Sequence, residues 1–318
     1  MRAVIVQADG SLAVSETPAP TPGPGEVLVK VAAAGVNRAD ILQAQGHYPP
    51  PKGASEILGL EVSGTIADPN GTMWETGAPV VALLAGGGYA EYVAVPAGQV
   101  VSPPPGVDLI NAAGVLEVAA TALSNFDHVS LRPGESVLIH GGTGGVGSFA
   151  IQYCKALGCK VFATAGSADK LKLCVDMGAE AAFDYHGDWL ADLKQATDQL
   201  GANVILDVMG AKYLELNVKA LSMDGRLVII GLQGGTKGTL DINRLLNKRA
   251  LVTATGLRFR PDAQKAEICK AVVDRVWPLY KEGEIQLPEI SRYPLERVSE
   301  AHQYLTSGEN VGKIVLTM

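Results

Sequence analysis

The chain has 318 residues, of which 19% are charged and 47% hydrophobic, and its formal net charge is −7. That length suits about two domains with sizeable cores. The acidic balance argues against a general affinity for nucleic acid or anionic membranes.

From the N-terminus, MRAVIVQADG alternates as a strand does and does not read as a signal peptide. No apolar run is expected to approach the ~18 residues of a membrane span. With no lipidation motif or internal repeat in view, a cytoplasmic protein without a membrane partner is the expectation. Residues 1–115 read as β-rich. Arg2–Gln7 and Glu26–Ala34 alternate as half-buried strands, separated by the proline-rich connection TPAPTPGPG at 17–25. Glu61–Ala67, Pro79–Leu84 and Tyr89–Val95 follow as short strands between glycine and proline turns, which suggests a small barrel. Arg38–Gln45 is the one helical excursion.

Near residue 110 the composition changes. Asn111–Phe126 is rich in alanine and leucine and reads as helix. Alternating units then follow: strands at Ser136–His140, Lys160–Ala165, Ala181–Asp184, Asn203–Val208, Arg226–Gly231 and Ala250–Thr255, with helices at Ala168–Met177 and Tyr213–Leu221 among them. This pattern predicts an α/β fold with a doubly wound parallel sheet over 116–261. The tail, 262–318, ends in a strand at Lys313–Leu316 that has no evident place in that sheet, so the tail is expected to return and complete the first domain.

The stretch SVLIHGGTGGVG (136–147) carries the strongest chemistry. A buried-strand run leads into glycines at 141, 142, 144, 145 and 147, and a helical pattern follows. Glycines there let backbone N–H groups approach a pyrophosphate at a helix N-terminus. The next strand ends Thr164–Ala165–Gly166–Ser167, without the acid that would bind a ribose 2′-hydroxyl. Ser167, Lys170 and Tyr185 suit a 2′-phosphate, which points to NADPH; Ser167 and Lys170 also read as a helix cap and a solvated lysine.

Cys154, Cys159, Cys174 and Cys269 form no CxxC pair, and the histidines (47, 128, 140, 186 and 302) form no HxxxH or HExxH pattern, so no metal site is predicted. His140 is expected to be structural or supporting. The hydrolase elbow GxSxG is absent. Hydride transfer needs neither metal nor nucleophile, because nicotinamide carries the chemistry. The stretch NRADILQAQGHYPPP (37–51) offers polar groups to border it. Asn37 and Asp40 share a helix face, and Tyr48 precedes three prolines. These residues also read as an N-cap, a surface charge and a packing aromatic.

Taken in order, the motifs VNRAD…QGHYPPPKGAS (36–55), ILGLEVSGTI (57–66), LLAGGGYAEYVAVP (83–96), HGGTGGVG (140–147), TAGSADKL (164–171), GLQGG (231–235) and NVGKIVL (310–316) resemble the zinc-free quinone oxidoreductases of the medium-chain dehydrogenase/reductase superfamily, most of all the tumour-suppressor-inducible branch. Where zinc alcohol dehydrogenases carry GHE, this chain has Gly59–Leu60–Glu61, and a ligand cysteine of that group corresponds to about Asn37.

The resemblance implies a GroES-like domain at 1–115 completed by 262–318, a Rossmann NADPH-binding domain at 116–261, and a homodimer. It implies that Asn37, Asp40 and Thr121 border the nicotinamide and that Gly144, Gly145, Val146 and Gly147 take the pyrophosphate. Gly166, Ser167, Lys170 and Tyr185 would take the 2′-phosphate and its surroundings. Gly231, Leu232, Gly234, Gly235, Thr255 and Leu257 would run along the nicotinamide ribose and carboxamide, and Asn310 would close the site. Tyr48, with Asn37 and Asp40, would serve the acceptor. Gly144 replaces a serine of the closest branch. The expected activity is NADPH-dependent reduction of a small quinone held in the interdomain cleft. Two rivals are reduction of activated double bonds in enals, enones or enoyl thioesters, and an NADPH-binding structural or RNA-binding role; the acidic pI near 5.3 counts against the last.

Overall fold

The computed structural model describes residues 1–318. In chain order it forms strands β1 (Arg2–Val6), β2 (Leu12–Glu16) and β3 (Glu26–Val36), helix α1 (Arg38–Ala44), strands β4 (Glu61–Asp68), β5 (Pro79–Leu83), β6 (Tyr92–Pro96) and β7 (Val100–Val101), and helices α2 (Leu109–Ala112) and α3 (Leu116–His128). Alternation follows: β8 (Ser136–His140), α4 (Gly145–Ala156), β9 (Lys160–Ala165), α5 (Ala168–Asp176), β10 (Ala181–Asp184), α6 (Trp189–Ala196), β11 (Ala202–Asp207), α7 (Leu214–Ala220), β12 (Leu221–Ile229), α8 (Ile242–Lys248) and β13 (Leu251–Ala254). The tail gives α9 (Asp262–Arg275), α10 (Trp277–Glu282), β14 (Ile290–Pro294), α11 (Val298–Ser307) and β15 (Lys313–Thr317).

The chain divides into two compact units. Unit 1 comprises Met1–Ala120, Leu257–Gly283 and Leu287–Met318, and unit 2 comprises Thr121–Gly256 with Glu284–Gln286. The tail therefore belongs to unit 1, and Leu257–Pro261 goes with it rather than with unit 2. Residues 116–120 also join unit 1, so helix α3 begins in one unit and ends in the other.

Unit 1 is built on a sheet ordered β14-β15-β3-β4-β5-β7, with β6 also paired to β3. Strand β3 is long because its alternating Val27, Val29 and Val31 fill the core while its second half, Ala33–Val36, is covered on both faces. The final strand finds its place there. It runs antiparallel to β3 with Ile314 opposite Val36 and Leu316 opposite Ala34. The core collects Val27, Val29, Val62, Ile66, Val80, Tyr89, Ile314 and Leu316.

Unit 2 is a six-stranded sheet ordered β10-β9-β8-β11-β12-β13, and every pairing in it is parallel. The chain moves outward from β8 to β10, then returns to β11 on the other side of β8. That reversal is a topological switch point, and the carboxyl ends of β8 and β11 lie at it.

Two sequence expectations change. The single helix expected over 111–126 is two helices, because Gly114 sits against the Lys313 side chain and interrupts the run. Residues 109–128 are also long and apolar enough to cross a membrane by length and composition (mean hydropathy 1.3), yet 72% of the stretch is buried inside the protein, as in a core helix.

Candidate functional site

In unit 2 the glycine turn follows β8 and opens α4, with Gly144 as N-cap in extended backbone. The first-turn amides of a helix have no intrahelical acceptor, and the helix dipole adds partial positive charge there. Gly147 is packed tightly, since a Cβ would lie 2.1 Å from the Gly141 carbonyl oxygen. Gly144 is open, its nearest neighbour being 3.6 Å from a Cβ position. Gly144, Gly145 and Val146 are partly exposed. One face of the turn is thus closed by backbone, where the Gly144 amide is bonded to Gly141 O at 3.1 Å, and the other presents the first-turn amides from Gly145 on, which fits a diphosphate.

The adjacent strand end supplies the next group. Ser167 caps α5 and accepts from the Lys170 amide at 3.4 Å, so its hydroxyl hydrogen is still available to an acceptor. Lys170 stands at the third position of that helix, where the dipole disfavours a cation. Tyr185 covers Gly166 so closely that a Cβ there would lie 2.2 Å from the phenol oxygen. Tyr185 is 44% exposed, and no carboxylate ends β9. A hydroxyl and a phenol therefore stand at the end of β9, with Lys170 in the first turn of the helix that follows.

Beneath the turn lies a buried polar set that sequence reasoning named only in part. The His140 ring bonds the Thr164 hydroxyl at 3.0 Å and the Asn217 amide oxygen at 2.7 Å, between the edges of Trp189 and Tyr213. Desolvation lowers its pKa to about 4, so the ring is neutral and structural. Asp207, at the end of β11, accepts from the amides of Met209 and Gly210, both at 2.8 Å. Burial nonetheless raises its pKa to about 6. Those two bonds shape the 208–212 loop, which the 231–235 segment then grips: the Gly234 amide donates to Met209 O at 2.7 Å and the Ala211 amide to Gly235 O at 3.1 Å. Gly231 must lack a side chain, because a Cβ would lie 2.7 Å from Val208 O; Leu232 is exposed. Thr121 and Thr255 are linked through Asn125, whose amide donates to Thr121 O at 2.8 Å and accepts from the Thr255 hydroxyl at 2.5 Å.

In unit 1 the roles of two neighbours separate. Asp40 is fully buried. Its carboxylate accepts from the backbone of Asn37 (2.8 Å) and Gly59 (3.1 Å) and from the Tyr89 hydroxyl (3.1 Å), and Tyr89 in turn lies 3.2 Å from His302 Nε2. The assignment of Asp40 to the ligand-facing set is therefore corrected. It holds the start of α1 and the Gly59 turn, because an acid at the third helical position reaches back to the N-cap amide. Burial raises Asp40 to about 6 and lowers His302 to about 4.

Asn37 is the N-cap of α1 and is partly exposed. The amide nitrogen donates to Glu61 Oε1 at 3.1 Å, and the amide oxygen accepts from Lys313 Nζ at 2.7 Å. Lys313 and Glu61 form a salt bridge of 2.6 Å with side chains 3% and 1% exposed. Glu61 Oε2 takes the backbone amide of Glu117 at 3.0 Å. Leu257 and Asn310 are buried in the same unit.

Tyr48 is held by Arg258. The guanidinium donates to Tyr48 O (3.2 Å), Ala85 O (2.8 Å) and Gln43 Oε1 (2.6 Å), and stacks 5.3 Å from the Tyr48 ring centre. Phe259 meets the same ring edge-on at 5.3 Å. Desolvation raises the Tyr48 pKa, so the phenol keeps its proton at neutral pH.

Sequence reasoning missed Lys313, Arg258, Asn125 and Asp207. A lysine opening the apolar strand KIVLT was the available signal for Lys313. The other three carry no local pattern. The four cysteines are free, and no group of three His, Cys, Asp or Glu side chains converges as a metal site would.

Residues 23–105 match the alcohol dehydrogenase GroES-like domain, and residues 145–271 match the zinc-binding dehydrogenase family. The chain is 30% identical over 316 residues to the mouse synaptic vesicle membrane protein VAT-1 homolog, covering 93% of this chain and 77% of the relative. It is 34% identical over 304 residues to phthioceranic/hydroxyphthioceranic acid synthase of Mycobacterium tuberculosis, covering 93% of this chain but only 14% of that much longer protein. Among solved structures it resembles a mycobacterial quinone oxidoreductase (TM-score 0.85) and a mycobacterial protein in complex with NADPH (TM-score 0.88), each at 29% identity over the full length of both chains. An NAD-dependent alcohol dehydrogenase is as similar, with TM-score 0.86, 29% identity and full coverage of both chains. The chain belongs to the medium-chain dehydrogenase/reductase superfamily, with quinone oxidoreductases among its structural neighbours.

Proposed function

We propose that this protein is an NADPH-dependent quinone reductase that works without a metal. The observation that carries the cofactor choice is the group Ser167, Lys170 and Tyr185 at the end of β9, where an acid is absent. Similarity alone does not choose between the two nicotinamide cofactors, because an NAD-dependent relative is as close as the NADPH-bound one. The residues support NADPH. A lysine and two hydroxyls suit a phosphate, and no carboxylate ends β9; the acid nearby, Asp169, stands in the first turn of α5.

Bound NADPH supplies the hydride. The chain's own residues bind and orient. Gly144–Gly147 take the diphosphate, the 231–235 segment and Thr255 flank the nicotinamide side, and Asn37 and Tyr48 face the acceptor. The acceptor gains a hydride and one solvent proton and leaves as the hydroquinone. A cavity of about 580 Å³ in unit 1 is lined in part by Arg258 and Phe259, the two residues that pack on the Tyr48 ring. The metal-free reading rests on Lys313. Its buried ammonium lies against Asn37 and Glu61, where it would repel a divalent cation.

The test is the initial rate of NADPH oxidation with an ortho-quinone, run beside NADH and beside a medium-chain enal. Fast quinone reduction with strong NADPH preference is expected, and no turnover across an ortho- and para-quinone panel would overturn the reading. The similarity to a segment of an acid synthase favours one alternative, reduction of a carbon–carbon double bond. Enal turnover exceeding quinone turnover would promote it. A homodimer is proposed as well. Strand β13 is an edge with Leu251 exposed, and α8 before it exposes Ile242 and Leu246. Light scattering on the eluting protein tests that, and a monomer mass at micromolar concentration counts against it.

A further inference from the structure

The buried group Asn37–Lys313–Glu61 is over-determined for a merely structural role. Each of the three ammonium N–H donors of Lys313 has an acceptor: Asn37 Oδ1 at 2.7 Å, Glu61 Oε1 at 2.6 Å and Val36 O at 3.4 Å. Glu61 is pinned from the other side by the Glu117 amide, and it has room only because residue 35 is glycine, where a Cβ would lie 2.3 Å from Glu61 Oε1. A buried ion pair adds little net stability, since desolvation offsets its attraction. Stability alone is therefore a weak reason for this arrangement.

What the arrangement does accomplish is to orient one amide. Lys313 has only donors, so it must face the Asn37 oxygen. Glu61 has only acceptors, so it must face the Asn37 nitrogen. The flip of Asn37 is thereby settled, one N–H remains unspent, and that residue is partly exposed. A cation on the amide oxygen draws electron density from the nitrogen and makes the remaining N–H a stronger donor.

We propose that Lys313 and Glu61 are positioning residues that aim and polarise the Asn37 amide, whose free N–H donates to the acceptor oxygen that gains negative charge as hydride arrives. The inference rests on the proposed reductase reading. It assigns unit 1 a neutral donor, charged from behind, for the task a metal performs in zinc-dependent relatives.

The test compares wild type, the paired variant Lys313→Met with Glu61→Gln, and the conservative Lys313→Arg. The pair removes both buried charges together, so neither is left uncompensated. Thermal unfolding checks the fold, and fluorescence titration checks NADPH affinity, which should stay within about twofold. Steady-state kcat is then measured over quinones of graded reduction potential. Removing a donor to developing charge costs up to about 100-fold or more. The paired variant should therefore lose about tenfold with strongly oxidising quinones and about a hundredfold with weak ones, Lys313→Arg should recover most of the loss, and in an Asn37→Ala background the pair should add no further loss. The side-chain amide resonance of Asn37 should shift upfield in the paired variant, whatever the acceptor.

An equal loss across all quinones, or an unmoved Asn37 resonance in a folded variant, overturns the inference. A wild type that reduces no quinone overturns the functional reading instead, and that result appears before any variant is made. If the paired variant fails to fold, Lys313→Arg carries both readouts: a changed acceptor dependence with a shifted resonance supports the inference, and neither change overturns it.

Discussion

In unit 2 the residues suited to a diphosphate are consecutive, Gly144 to Gly147, and what they offer is backbone N–H groups, those after Gly144, whose own amide is bonded to Gly141 O. In unit 1 the polar centre draws on residues 37, 61 and 313, which meet only because β15 pairs with β3 and β3 pairs with β4. A backbone site is sensitive to where a Cβ is added and tolerant of which side chain is present. A side-chain site is the reverse, since losing one charge strands its partner. The two units also share a device. Each buries one acid raised to about 6 and one histidine lowered to about 4, Asp40 with His302 in unit 1 and Asp207 with His140 in unit 2. In both, the acid binds the backbone amides of a turn.

The harshest break of this contrast is Lys313→Met alone. It leaves Glu61 buried without its cation and is expected to destabilise the protein by about 3–5 kcal/mol in urea unfolding. A loss below about 1 kcal/mol would show that water reaches Glu61 once its cation is gone. Next is Gly147→Ala, whose methyl would press on the Gly141 carbonyl. It is expected to cost about 3 kcal/mol and to abolish NADPH binding by fluorescence, and retained binding would contradict the turn geometry.

The shared acid–histidine device is sharpened by pH. Asp40, raised by burial, contributes stability below its unfolded value that is lost as pH rises through about 6. His302, lowered by burial, contributes stability above its unfolded value that is lost as pH falls through about 4. Between those values the two slopes oppose, so the pair adds little pH dependence to wild type. Asp40→Asn leaves the histidine alone, and stability should then fall by about 2 kcal/mol more than wild type between pH 6.5 and 4. His302→Gln should tilt the other way. Urea midpoints at four pH values read both slopes, and parallel profiles for all three proteins would refute the coupling.

Smaller effects test the side chains at the edge of unit 2. Lys170→Ala should raise the KM for NADPH about tenfold and leave NADH unchanged, as loss of a charged contact to a phosphate does. An equal change for both cofactors would remove Lys170 from the 2′-phosphate site. Least of all, Gly144→Ser should shift stability by under about 0.5 kcal/mol, because the position is open and its φ of −74° suits any residue. A large loss there would mean that the cradle is closed.

How much was legible follows from the same contrast. The glycine turn, the capping serine and the parallel sheet were readable because their chemistry is local: period-2 runs, glycine spacing and a helix start lie within a dozen residues. Asn37 and Tyr48 were legible as candidates. Asp40 was misassigned because spacing puts it on the face of Asn37, whereas the reach of its carboxylate back to the Asn37 amide, and the covering Tyr89, are tertiary facts. Arg258 shows no pattern at all, yet it ties Tyr48, Ala85 and Gln43 together.

By itself, then, the sequence determined the α/β and β-rich regions, the glycine turn after β8 and the absence of an acid at the end of β9, since each depends on neighbours along the chain. Only the tertiary structure decided which polar groups are buried together. Lys313 is 252 residues from Glu61, and no periodicity records that the last strand returns beside β3 and carries its ammonium into a pocket made by Gly35. Side-chain electrostatics depend on distance in space, and distance in space is set by the pairing of strands far apart in the chain.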